Sequence, residues 1–196
     1  MVPTRRSNLE AKRHSGISRS DSQARTMGRW PDAKAHRIFW SIVIIGAGAD
    51  LWSKWAVFKW LRDVPGQEYS VIDGLFNLVM RQNSGAAFSI AQGRTAILVA
   101  VSVIALAVVL GVFVFGRVHH RIVQAALALF AAGITGNLYD RAFNAGFVRD
   151  FLDFYWRRAH WPAFNLADSM LCTAVGLLLL TNITSAFFQK HADGQK

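Results

Sequence analysis

Apolar residues run along this chain in four long blocks separated by polar stretches. The block from about Thr95 to Phe115, TAILVAVSVIALAVVLGVFVF, carries no charge, and its length suits a bilayer core, which takes about 20 largely apolar residues as a helix. Three more blocks run from about Ile38 to Phe58, interrupted by Asp50 and Lys54, from about Ile122 to Tyr139, and from about Leu166 to Ile183. Between the second and third blocks GRVHHR leaves room for a tight basic turn and nothing more. The connections Lys59 to Arg94 and Arg141 to Ala163 are longer. In the former, EYSVIDGLFNLVMRQNSGAAFSI mixes β-branched, aromatic and turn residues and predicts a small sheet. In the latter, FLDFYWRRAHWPAF is aromatic and basic and predicts an interfacial loop or helix beside lipid headgroups. The expected fold is an all-α membrane protein of four transmembrane helices. A small extracytoplasmic β-rich segment follows span one, and the interfacial segment lies between spans three and four.

Composition agrees with that pattern. Of 196 residues 53% are hydrophobic and 17% charged, too apolar for an ordinary soluble domain and for a disordered chain. Lys and Arg outnumber Asp and Glu 22 to 12, for a net charge of +10. Nine of the basic residues fall between Arg5 and Arg37, in a polar stretch without apolar periodicity, and most others flank apolar blocks. The charge therefore points to a membrane protein with a basic tail and not to a nucleic-acid partner. That tail is too long and too evenly charged for a cleavable signal peptide, so the first block is read as an uncleaved span. Three regions are expected: a disordered cytoplasmic tail over 1–37, a membrane domain over 38–189 and a short cytoplasmic tail over 190–196. The basic tail and the turn holding Arg117 and Arg121 assign one side to the cytoplasm, with both termini there. The single cysteine, Cys172, lies in the last apolar block, which excludes an internal disulfide framework and a multi-cysteine metal site.

With that topology, four segments bring polar residues to the outer ends of the spans. Asp50 and Lys54 lie near the outer end of span one, and Asn137, Asp140 and Arg141 at that of span three. Asn165 and Asp168 lie at the start of span four, with Asp150 and Asp153 in the loop before it. Structural roles exist for each. Asp50 and Lys54, four residues apart on one helical face, can neutralise each other. Asn165 suits a helix N-cap, and Asp140 can pair with Arg141. Asp168 is harder to assign to structure, because an acid in the first turn of an apolar span is expensive. No zinc pattern appears among the six histidines. No Ser-His or Cys-His arrangement appears near the outer face apart from His160, which lacks an obvious nucleophile. Two carboxylates sharing a proton remain, able to deprotonate water and protonate the leaving group.

The motifs GNLYDR, GFVRDF and FNLAD, preceded by DLWSK and NSGAAFS, resemble in order and in four-span layout the type II (lipoprotein) signal peptidases of bacteria across about residues 38 to 183. That resemblance implies a four-span aspartyl peptidase of the inner membrane, with its site at the outer leaflet. It would cleave prolipoprotein signal peptides before a diacylglyceryl-modified cysteine. The catalytic aspartates would be Asp150 and Asp168. Asn83, Asn137, Asp140, Arg141 and Asn165 would support the dyad or hold the substrate, and Asp50 and Lys54 would be structural. Neither metal nor organic cofactor is implied; the expected partners are lipidated prolipoproteins and membrane lipids, and the chain is expected to be a monomer. DRAFNAGFVRD carries one residue more before Asp150 than the family pattern, which keeps Asp153 open as the alternative acid. Leu51 and Ser53 stand where Gln and Thr are usual, and the basic tail has no counterpart in the pattern. Two rival readings stand beside the peptidase: a small ion- or proton-coupled transporter using intramembrane acids, and an assembly subunit whose polar residues join helices.

Overall fold

The structure, a computed structural model, describes residues 30–85 and 92–193, with side chains described as far as Thr184. The basic tail before residue 30, the part of NSGAAFS beyond Gly85 and the last three residues lie outside the described residues.

Four helices are long and apolar enough to cross a membrane. Helix α1 spans Ala33–Leu61, α2 Thr95–Phe115, α3 Arg121–Phe143 and α4 Leu166–Asp193. Helix α1 begins inside the stretch read as tail, because Asp32 acts as N-cap and its carboxylate accepts from the Ala35 amide at 2.6 Å. Helix α3 is the hub and packs against the other three. Its buried face is built from small residues, Ala126, Ala128, Ala131, Ala132, Gly133 and Gly136, which let neighbouring backbones approach closely. A Cβ on Gly133 would meet the Ala167 carbonyl and the Leu171 side chain of α4. At the opposite end of the bundle Phe39 of α1 stacks on Phe113 of α2, ring centroids 3.9 Å apart. Helix α2 is the most peripheral; Phe113 is its one buried residue. The outward apolar surfaces, including Ile44, Ile45, Ile104, Leu179 and Ile183, suit lipid and not water.

At one end of the bundle sits a four-stranded antiparallel sheet in the order β1-β2-β3-β4: Glu68–Ile72, Phe76–Asn83, Val148–Trp156 and Ala159–His160. The first two strands fall in the connection read as β-rich. The other two correct the expectation of an interfacial loop or helix between spans three and four, and with it the all-α class. VRDFLDFYW is rich in aromatic residues, which favour strands, and β3 gives up its backbone groups to β2 on one side and to β4 on the other. Its aromatic residues serve the ladder: Phe154 stacks on Phe76 of β2 with centroids 4.7 Å apart.

Two local devices join the sheet to the helices. After α3, Ala145 and Gly146 both take positive φ, and Gly146 lies so close to Thr95 at the start of α2 that a Cβ there would meet its side chain. Before α4, Phe164 pairs with Leu152 of β3 through reciprocal amide-to-carbonyl bonds of 2.9 and 3.0 Å. The chain therefore enters α4 alongside the strand that carries Asp150.

Candidate active site

The start of α4 is closed by a reciprocal cap. The Asn165 side-chain oxygen accepts from the Asp168 amide at 3.0 Å, and the Asp168 carboxylate accepts from the Asn165 amide at 3.2 Å. Asn165 thus does cap the helix, and its second side-chain atom remains free for other work. Fully buried, its Nδ2 donates to Asp150 Oδ1 at 2.6 Å and to Asn137 Oδ1 at 3.2 Å. Asn137, three quarters of the way along α3, in turn donates from Nδ2 to Asp168 Oδ1 at 2.8 Å. Asp150 Oδ2 accepts from Asn83 Nδ2 of β2 at 3.2 Å. Two asparagines therefore tie the two acids together, and each carboxylate receives two donors.

Burial separates the two acids. Asp150 is 3% exposed, whereas Asp168 is half-buried. Burial, together with the negative charge of Asp168, pushes the Asp150 carboxyl up to about 7, with the Asn165 and Asn83 donors and the Lys54 charge opposing. Arg141 places its guanidinium charge in the field of Asp168 and Asp150 and donates to the Gly85 carbonyl at 2.8 Å, which ties the C-terminal end of α3 to the end of β2.

Behind this layer lies a second set of charges. Lys54, fully buried, contacts Asp50 Oδ2 at 2.7 Å, Asp140 Oδ2 at 3.5 Å and Asn137 Oδ1 at 2.9 Å. Asp50 accepts from the Ala167 amide at 2.8 Å, which fixes α1 to the first turn of α4. The expected pairing of Asp140 with Arg141 is corrected by the structure: the ion pairs of Asp140 are with Arg149 and Lys54. Arg149 grips the carboxylate with Nη2 at 2.6 Å, Nε at 3.1 Å and its own backbone amide at 2.9 Å. Arg149 is the site residue that sequence reasoning missed. Its signal was its place beside Asp150 on a strand, which turns neighbouring side chains in different directions.

Asp153, the alternative acid, lies elsewhere. Its carboxylate meets His160 Nδ1 at 3.0 and 3.1 Å across the β3–β4 edge, with Tyr155 stacked on that imidazole. The register explains the split: Leu78 pairs with Leu152 but Arg81 pairs with Asp150, so β2 carries an extra residue there, and this bulge re-aims the chain around Asp150.

Known proteins were compared with this arrangement. The family model described as signal peptidase (SPase) II matches residues 42–184, most of the chain. The chain belongs to the signal peptidase II family. Among its relatives in that family, the lipoprotein signal peptidase of Geobacter sulfurreducens is 46% identical over 120 residues, 60% of this chain and 74% of the relative. That of Bacillus pumilus is 36% identical over 161 residues, covering 81% of this chain and 95% of the relative. A bacterial membrane enzyme structure obtained by the in meso method at 2.3 Å resolution superposes with a TM-score of 0.65 at 25% identity, covering 81% of this chain and 92% of the other. A second such structure, at 1.9 Å, gives a TM-score of 0.61 at 26% identity, covering 78% and 94%. This signal peptidase II family member is thus a membrane enzyme of the protease class, with the four membrane-length helices and the sheet described above.

The raised Asp150 has a consequence for the stability of this signal peptidase II family member. Its carboxyl titrates near 3.8 in an unfolded chain and near 7 in the folded one. Between those values the folded state holds a proton that the unfolded state has released, so the free energy of unfolding falls as pH rises through that window. In detergent, the thermal midpoint is expected to fall from about pH 4.5 to about pH 7.5, and Asp150→Asn to flatten that slope. An unchanged slope in the variant would assign the effect to another group.

Proposed function

We propose that this protein is an aspartyl endopeptidase that cuts prolipoproteins on the amino side of a diacylglyceryl-modified cysteine, with Asp150 and Asp168 sharing one proton. The single observation that carries this reading is the coupling of the two acids through Asn165 and Asn137 at the junction of β3 and α4. Like charges at short range in a buried place favour one shared proton. Asp150, the more buried acid, holds that proton at rest. Asp168, fed by donors on both oxygens, takes a proton from water as the water attacks the scissile carbonyl. Asp150 gives its proton to the carbonyl oxygen, forming a neutral gem-diol. The carboxylate on Asp150 then accepts a proton from one diol hydroxyl as the C–N bond breaks, while the proton on Asp168 passes to the leaving amine.

The remaining expectations fit the same reading. The site lies at the sheet end of the bundle, the end expected to face outward under the positive-inside rule. The exposed Trp52, Trp55 and Trp60 of α1 at that end suit a membrane–water boundary. The substrate's lipid would remain in the outer leaflet of the inner membrane while its signal helix packs on the apolar spans, and one copy of the chain supplies the acids. The test is incubation of the purified protein in detergent with a diacylglyceryl-modified prolipoprotein and with its unmodified precursor. Mass spectrometry is expected to find cleavage directly before the modified cysteine and little in the unmodified chain. Cleavage at other bonds, or indifference to the lipid, would sink the proposal.

A further inference from the structure

Hydrogen-bond direction in the site is dictated by groups that can only donate. The Lys54 ammonium has three N–H donors and no acceptor, so the Asn137 atom that faces it at 2.9 Å is the oxygen. The other end of that amide is then the NH2, and the atom facing it at 2.8 Å, Asp168 Oδ1, has to accept. In the same way the Asp168 backbone N–H holds the Asn165 oxygen at 3.0 Å, so Asn165 turns its NH2 to Asp150 and Asn137. Donors aimed at a carboxylate favour its ionised form.

Charge points the same way. Asp50, Asp140, Asp150 and Asp168 are four acids; Lys54, Arg149 and Arg141 are three cations. The cluster is electrically neutral when the dyad carries one proton, the state that shared-proton hydrolysis needs. Removing Lys54 upsets that balance and takes from the Asn137 oxygen the charged one of its two donors, leaving Asn165 Nδ2 at 3.2 Å.

We infer that Lys54 is a positioning residue for the reaction, and not solely a structural partner of Asp50: acting through Asn137, it sets Asp168 as the proton acceptor of the pair. The inference rests on the dyad reading above. Lys54 does not touch the reacting atoms; together with Asn165 Nδ2 it holds the Asn137 oxygen, so that the amide turns its NH2 to Asp168. The charged groups that surround Asp150 and Asp168 are Lys54 from α1, Arg141 and Asp140 from α3, and Arg149 from β3, with Asn83 and Asn165 as neutral donors. The Lys54 charge opposes protonation of Asp150, so its loss makes Asp150 hold a proton more tightly. The basic limb of the pH dependence of kcat/KM therefore moves to higher pH.

Lys54→Met fills the same space without charge but strands Asp50, so it is compared with Asp50→Asn/Lys54→Met. In the double variant the Asn oxygen still accepts from Ala167, and the Asp50–Lys54 pair is removed as a unit. Variants are purified in detergent, and the monodisperse fraction is assayed on the lipidated prolipoprotein. For both variants the expected result is a kcat lower by roughly tenfold or more with KM little changed; Lys54→Met also moves the basic limb of its pH profile upward by about half a unit or more, whereas the double variant, which loses one charge of each sign, stays closer to the native profile. A purely structural Lys54 would lower the folded yield and leave the profile where it was. A Lys54→Met variant with the native profile, or a double variant with the native kcat, overturns the inference. Asp150→Asn and Asp168→Asn are assayed alongside: if these retain turnover, the dyad reading fails. If they are inactive and Lys54→Met keeps the native profile or the double variant the native kcat, only the role of Lys54 falls.

Discussion

Asp150→Asn and Asp168→Asn are each expected to lower kcat by roughly a thousandfold or more while keeping the helical content of the native protein. An asparagine keeps the size of the side chain and one carbonyl oxygen, so the bonds from Asn165 to residue 150 and from Asn137 to residue 168 retain an acceptor. What it removes is the ability to exchange a proton. On the proposed mechanism the loss takes away the base at Asp168 and the acid at Asp150, where it also relieves the cost of a buried carboxyl. Asp153→Asn is the control. Asp153 is equally buried but engaged with His160, so turnover is expected within a few-fold of native. An inactive Asp153→Asn beside an active Asp150→Asn would reverse the assignment. The measurement is single-turnover cleavage of the lipidated substrate, which separates the chemical step from product release.

Gly136→Ala should carry the other large effect, on stability first and activity second. A Cβ at Gly136 would run into the Asp50 carboxylate and reach Cβ of Ala167 at 3.4 Å. Asp50 cannot step aside freely: Oδ2 is in the ion pair with Lys54 and Oδ1 holds the Ala167 amide. The neighbours are packed on all sides, and displacing Asp50 loosens a fully buried ion pair. A cost of about 2–4 kcal/mol is expected, which for a chain of this size lowers the thermal midpoint by roughly 5 °C or more. Turnover should fall as well, because the bond from the Ala167 amide anchors the helical turn that presents Asp168. Gly176→Ala on α4 is the matched comparison. Its added methyl meets nothing within 4 Å, so the better helix propensity of alanine should leave stability unchanged or raise it slightly. Equal effects for the two substitutions would show that helix propensity, not the contact with Asp50, governs Gly136.

How much of this site was legible beforehand depends on the kind of constraint acting on each residue. The four spans were readable because crossing a bilayer demands length and apolarity within one continuous segment. The α2 boundaries, Thr95 and Phe115, match the uncharged block for that reason. Asn165 and Asp168 were readable as a cap because their interaction closes over three residues. The strand after α3 is not legible in the sequence, because its aromatic content resembles an interfacial belt and its backbone finds partners only beside β2 and Phe164.

The sequence by itself determined the membrane architecture, the polar residues at one end of the spans and the motif set of the family. These are properties of local composition and order, and they survive any arrangement of the helices. Tertiary structure alone decided the contacts that give the polar residues their chemistry. It placed Asp150 rather than Asp153 against Asn165, gave Asp140 to Arg149, and set Lys54 against Asn137 across 83 positions of chain. Such pairings depend on strand register, on a bulge in β2 and on how closely α1 approaches α3 at Gly136. Each is a distance between segments remote in sequence, and hydrogen bonds and ion pairs fall away within about an ångström of their best length.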